Sequence, residues 1–287
     1  MILSKTKTET LLYYFQSVGD LVTWIDKTPQ TKLGREYSSS TATDSSRKEF
    51  TGTESFDEAQ RLLRDGDSKL ARMINDTKRD IKAKSHGGNT KSNMIVRSAQ
   101  GFLPDIGAYM TGHPVNMFNI KQGIKPISKV ISVVYNCGVG YATTTNQMIS
   151  AAVKVSEAIA TLEARGYRVN IYVGKKVMKR PLKRTSKIEK IGTLVKIKDA
   201  GKPLDPLRVS YPLAHPSFSR RHLFAVAERA KWKMPETYGC PVSFDKSDLT
   251  PNIGRHIQLS AMEIINNEGA NSIESIIRQI EEAARKA

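Results

Sequence analysis

A chain of 287 residues with 39% hydrophobic content can bury a substantial core in one or two domains, which excludes a disordered chain. There is no run of about 18 apolar residues, so no membrane-spanning helix is expected, and two cysteines, Cys137 and Cys240, exclude a disulfide framework and zinc-ligand spacing. The net charge of +17 points either to a polyanionic partner (nucleic acid, an acidic protein face or anionic lipid) or to a solvated hairpin kept soluble by its charge.

Met1-Ile2-Leu3 leads at once into Ser4-Lys5-Thr6, without the apolar stretch of a signal peptide, so the expected location is the cytoplasm. From Glu9 to Lys27, Leu12, Phe15, Val18, Leu21, Val22 and Ile25 recur with helical spacing and predict an aromatic-rich docking helix. Thr28 to Arg47 has little to bury, and its Ser/Thr-rich part near residues 38–48 reads as an exposed linker. Ser55 followed by Glu58 has the pattern of a capping box, opening a helix that stops near Gly66. A charged helix from about Asp67 to Ser85 is broken by His86-Gly87-Gly88-Asn89, and Ile106 to Pro114 reads as a short helix, a glycine cap and a proline stop. Met117 to Ile120 reads as a strand. Residues 1–125 thus form an expected mainly helical N-terminal region.

The stretch from Lys129 to Gly174 has the period of strand, glycine-bearing loop, long helix and second strand: one βαβ unit. Such a unit requires a parallel sheet covered by helices. Downstream, Ile191 to Lys198 and Leu207 to Leu213 read as strands. Pro216 suits the first turn of a helix through Phe218, Leu223 and Ala230. Arg255 to Ala261 reads as a strand, and Asn271-Ser272-Ile273-Glu274 caps a final helix. The expected fold is α/β, a mostly parallel sheet with flanking helices over residues 126–287, with a basic arm at 175–190 and the helical region before it.

Within the unit, Gly138-Val139-Gly140-Tyr141-Ala142-Thr143 is a partial dinucleotide fingerprint that lacks the third glycine, and Gly174-Lys175-Lys176 stand where an acid would hold a ribose. The unit resembles a von Willebrand factor A-type, Rossmann-like domain. That family's loop carries Asp-x-Ser-x-Ser for a divalent ion; here Asn136-Cys137-Gly138-Val139-Gly140 replaces the carboxylate by an amide and both hydroxyls are gone. Oxygen ligation needs those groups, so no metal and no cofactor are expected. The segments Phe50 to Ala59, Leu162 to Val169 and His215-Pro216-Ser217-Phe218-Ser219-Arg220-Arg221 resemble a phage- and prophage-encoded family without established activity. That resemblance implies a viral accessory or virion-associated protein, placed in the host cytoplasm or the virion, and brings no catalytic residues.

His215 and His222 flank Arg220 and Arg221, but no carboxylate lies near in sequence to hold the metal ions of phosphoryl transfer. Asp245, Asp248, Cys240 and His256 are raw material for nucleophilic chemistry at a spacing that matches no known arrangement. The charge is more informative. Between Arg165 and Lys198 twelve Lys/Arg face one acid, Glu189, a net +11 in 34 residues. Lys175, Lys176, Lys179, Arg180, Lys183, Arg184 and Lys187 recur in pairs, and Pro181 breaks any single helix, so an extended arm is expected. Such an arm, aided by Arg220 and Arg221, can track phosphates without reading bases. The expected function is non-enzymatic, non-sequence-specific binding of nucleic acid, with no membrane role. The alternatives are a virion-assembly module that docks on an acidic phage protein, as a monomer or an oligomer, and a nucleotide-cofactor enzyme or nuclease.

Overall fold

The computed structural model describes residues 2–5, 10–32, 39–43, 45–73, 75, 91–124, 130–178, 190–230, 240–266 and 273–285. Strands β1 (Ile2–Lys5) and β2 (Thr10–Phe15) are followed by helices α1 (Val18–Lys27), α2 (Ser45–Thr51) and α3 (Phe56–Asp65). Next come β3 (Lys91–Ser98), β4 (Leu103–Pro104), α4 (Ile106–Met110) and β5 (Met117–Ile124). The central unit is β6 (Val130–Asn136), α5 (Thr145–Ala164) and β7 (Arg168–Met178), and β8 (Lys190–Lys198) follows. After it stand α6 (Pro206–Ala214), a π-helical turn (Phe218–His222), α7 (Leu223–Arg229), β9 (Cys240–Val242), α8 (Lys246–Ile253), β10 (Ile257–Ser260), α9 (Ala261–Asn266) and α10 (Ile273–Arg285).

The fold is α/β. The main sheet has the order β1-β2-β8-β7-β6-β10, with β9 beside the far end of β7. Three of the five neighbour pairs on that path, β2–β8, β6–β7 and β6–β10, are parallel, and β1–β2 and β7–β8 are antiparallel. The expected βαβ unit is therefore present. Thr144 caps α5 in a reciprocal capping box with Gln147, and Gly166 closes the helix at φ +90°, a conformation that favours glycine. On one face of α5, Ala151, Ala152, Val155, Ala158, Ile159 and Leu162 are buried in the large core cluster, whose sheet side includes Ile131, Val133, Ile171 and Val173. The other face of the sheet carries a smaller cluster around Leu12, Tyr14, Val134, Leu194, Phe244 and Leu249.

Two sequence expectations are corrected. Glu9 to Lys27 is not one helix: Thr10–Phe15 is a strand between β1 and β8, and the helix begins only at Val18, where Ser17 accepts from the Asp20 amide. The run Leu11-Leu12-Tyr13-Tyr14-Phe15 suits a strand buried on both faces, and helical spacing measured across its turn was accidental. Leu207 to Leu213 is not a strand. Asp205 accepts from the Leu207 amide, Pro206 occupies the first turn, and all of Val209 to Ala214 is buried, so no polar face marked its period. The N-terminal region also does more than supply helices. It gives β1 and β2 to the main sheet and forms the three-stranded sheet β3-β5-β4. The charged helix is helical over 68–73; the remainder of it lies outside the described residues.

A candidate anion-binding crevice

In open α/β sheets, ligands bind outside the carboxyl ends of parallel strands, where neighbouring crossovers diverge. Here that place lies beyond Asn136 and Ser260, the paired last residues of β6 and β10. Residues 137–144 lead from β6 to the first turn of α5, and Tyr141 to Asn146 line one wall of a crevice of about 850 Å³. Phe50 and Gly52 line another wall, and Arg220 lines it as well.

The loop is fixed by its own side chains. Asn136 Oδ1 accepts from the Gly138 amide at 3.0 Å, and its Nδ2 donates to the Val242 carbonyl at 3.1 Å, tying β6 to β9. A Cβ at Gly138 would stand 3.0 to 3.3 Å from Asn136, Pro241 and Lys175 atoms, so a side chain there would crowd this junction. Asn136 thus spends both amide atoms on the protein. Cys137 is buried, its thiol donates to the Gly174 carbonyl at 3.3 Å, and burial pushes it up to about 11. At neutral pH it is a thiol, not a nucleophile. Among the described residues there is no cluster of three or more metal-ligating side chains.

The paired cations of the sequence separate by geometry. Successive strand residues point to opposite faces, so β7 sends Lys175 and Lys176 to opposite sides of the sheet. Lys175 lies on the large-core side, its ammonium 4.1 Å from the centre of the Phe224 ring, and burial pushes it down to about 8. Lys176, 0% exposed, sits on the other side, 2.7 Å from Asp245 Oδ2 and 2.5 Å from Asp248 Oδ2. The two aspartates considered as raw material for nucleophilic chemistry are therefore partners of a buried lysine. Lys198 pairs with Glu163, Lys196 with Asp199, and Arg165 with Glu281.

The π-helical turn separates Arg220 and Arg221 in the same way. Arg221, 0% exposed, points inward: Nη1 donates to the Ser40 and Ala42 carbonyls, Nη2 to the Thr53 carbonyl and Nε to Thr53 Oγ1. It holds the segment before α3 to the turn and reaches no phosphate. This corrects its expected place in the nucleic-acid surface, and the inward pairing of Lys176 corrects that residue's place likewise. Arg220 is also 3% exposed as a residue, but it lines the crevice. Its Nη1 donates to the Phe50 carbonyl and Nη2 to the Thr143 carbonyl, each at 2.7 Å, and its guanidinium lies 4.0 Å from the Phe50 ring centre. Burial pushes Arg220 down to about 10. No carboxylate among the described residues pairs with it.

His215 and His222 are structural. His215 stacks on Tyr211 at 4.8 Å and its Nδ1 accepts from the Ser217 amide; His222 lies among Phe56, Tyr211 and Phe218. Lys179, Arg180, Lys183, Arg184 and Lys187 lie outside the described residues. Their attachment points are described: the chain leaves β7 at Met178 and returns at its partner Lys190, four residues past the Gly174–Asn136 pair that ends β6. The crevice wall near Phe50 was missed in sequence. Phe50 and Tyr141, whose ring centres lie 5.4 Å apart, are separated by ninety-one positions and carry no common motif.

These features define an α/β protein with a cationic crevice at the carboxyl end of its parallel strands. The chain belongs to the family described as "Domain of unknown function (DUF7192)", whose profile matches residues 4–284. No curated protein and no solved structure matches it.

Proposed function

We propose that this protein binds the backbone of nucleic acid without catalysis, through the end of the sheet where β7 and β8 are joined. The observation that carries the reading is the sorting of charge. Of the twelve cations between Arg165 and Lys198, Arg165, Lys176, Lys196 and Lys198 are matched by acids of the same chain, and Lys175 is turned onto a ring. Five more of the twelve fall in residues 179–189, with Glu189 the one acid of that stretch, between two strand ends at the crevice side of the sheet. A dense cationic connector suits sequence-independent phosphate contact. The resemblance of three segments to phage-encoded proteins supports a viral accessory role in an infected host.

The test is binding of random single- and double-stranded oligonucleotides across a salt series. The variant changes Lys179, Arg180, Lys183, Arg184 and Lys187 to Gln, and leaves Lys176 and Arg221 intact because the fold uses them. With about five phosphates contacted on a duplex, log affinity falls with log salt at a slope near −4.5 in the native chain. The variant loses most of that slope. A native slope near zero refutes the reading.

A protein partner is the second reading, favoured by Ile95, Phe102, Leu103, Ile106, Tyr109 and Met110, all exposed on β3, β4, α4 and the adjoining turn. It predicts a stoichiometric complex that does not depend on the five connector cations.

A further inference from the structure

We infer that the crevice between Phe50, Tyr141 and the first turn of α5 is a nucleotide site, holding a phosphate over Arg220 and a base against Tyr141. The inference stands on crevice geometry and does not depend on the connector.

Three independent features converge. The first is Arg220, a guanidinium withdrawn from water, without a carboxylate partner among the described residues, and lining a cavity. Burying a cation is costly unless an opposite charge reaches it, and an anion in the crevice supplies that charge. The second is the start of α5. The capping box satisfies the Thr144 and Gln147 amides, whereas Thr145 and Asn146, the next amides in, border the cavity. Amides at the start of a twenty-residue helix favour a phosphate. The third is Tyr141, 87% exposed, with its ring braced by Phe50 at the mouth. A braced and solvent-facing ring is a stacking platform for a base.

The rim also bears on the ligand. Lys48 is tied to Glu54 at 2.5 Å, and Glu49 is the acid among the lining residues. One guanidinium and two amides match a single phosphate group, and Glu49 can accept from ribose or exocyclic amine donors. A bare polyphosphate would bring more negative charge toward that carboxylate and offer it no donor. A volume of about 850 Å³ is within the range of small-ligand sites.

The full chain is titrated with AMP, adenosine, inorganic phosphate, and an oligoadenylate lacking terminal phosphates, reading affinity by calorimetry. Two variants divide the site, and circular dichroism and urea midpoints check the fold of each, because Thr145 Oγ1 also donates to the Glu49 carbonyl at 3.1 Å. Tyr141→Ala removes an exposed ring. Thr145→Pro deletes one amide at the helix position where proline is favoured, after an extended Thr144 that tolerates a following proline. AMP binds the native chain more tightly than adenosine or phosphate alone. Tyr141→Ala weakens AMP by about tenfold while leaving inorganic phosphate unchanged, and Thr145→Pro weakens both by about tenfold. Competition by the oligoadenylate identifies a nucleotide within a strand, and indifference to it identifies a free nucleotide. No AMP binding, or binding equal in native chain and both variants, overturns the inference. Retention of long nucleic acid alongside absent AMP binding overturns it while leaving the connector reading standing; the reverse result removes the connector reading alone.

Discussion

Two hollows of similar size lie at opposite ends of the sheet, and they differ in how their charges are matched. The crevice at the end of β6 has about 850 Å³ and contains Arg220 without an acid partner. The groove where β8 ends and α1 begins has about 910 Å³ and more cations; Arg64 pairs with Asp26, Lys196 with Asp199, Lys198 with Glu163 and Arg208 with Asp205, and the fifth lining cation, Lys202, is exposed to solvent. Volume does not distinguish them. A buried cation without an acid partner among the described residues does: Arg220 is shielded from water, whereas Lys202 is solvated and the other groove cations spend their field on their own chain.

That rule can be broken most forcefully at Lys176. It is a buried cation at the crevice end, yet it is fully matched by Asp245 and Asp248 and so belongs to the fold. Lys176→Met removes the ammonium that neutralises the buried Asp248 carboxylate, which keeps its bond from the Asp245 amide, and is expected to cost about 3–5 kcal/mol in urea unfolding. Replacing Asp248 by Leu as well recovers most of that loss. If Lys176→Met leaves stability unchanged but reduces nucleic-acid binding, the pairing argument is wrong for this residue.

A smaller effect sharpens the other half of the comparison, groups kept neutral by burial. Burial lowers His215 to about 4 and His222 to about 3. In the unfolded chain both protonate below about 6.5, so the unfolded state takes up more protons as pH falls. Stability is therefore complete above pH 7 and is lost progressively from about 6.5 downward, by roughly 2–3 kcal/mol per histidine at about pH 4.5. Urea midpoints at several pH values measure this. His222→Phe, which keeps a ring among Phe56, Tyr211 and Phe218, flattens the curve. An equally steep curve in that variant would assign the acid loss to other groups.

The central unit was legible because local signals agreed. The apolar run 130–135, the helical stripe and Gly166 all specify the same strand, helix and strand, and the Thr144–Gln147 cap became visible only in the structure. β2 and α6 were not legible. β2 from Leu12 onward and α6 from Val209 onward are buried on every side, and periodicity distinguishes elements only where one face meets water. The cationic pairs were visible as charge, but which member of each pair turned inward was decided by strand parity at Lys175 and Lys176 and by the π-helical turn at Arg220 and Arg221. The Phe50–Tyr141 wall depends on a contact between distant segments that no local pattern announces.

The most direct test of the account is to ask which end meets the ligand. Photo-crosslinking a thiouridine-substituted single strand to the full chain, followed by peptide mass spectrometry, reads that end directly. The account predicts adducts at Tyr141 and within residues 179–189, suppressed by salt, and none on the segment from Lys196 to Arg208. Adducts confined to that segment, at the paired groove, would contradict it.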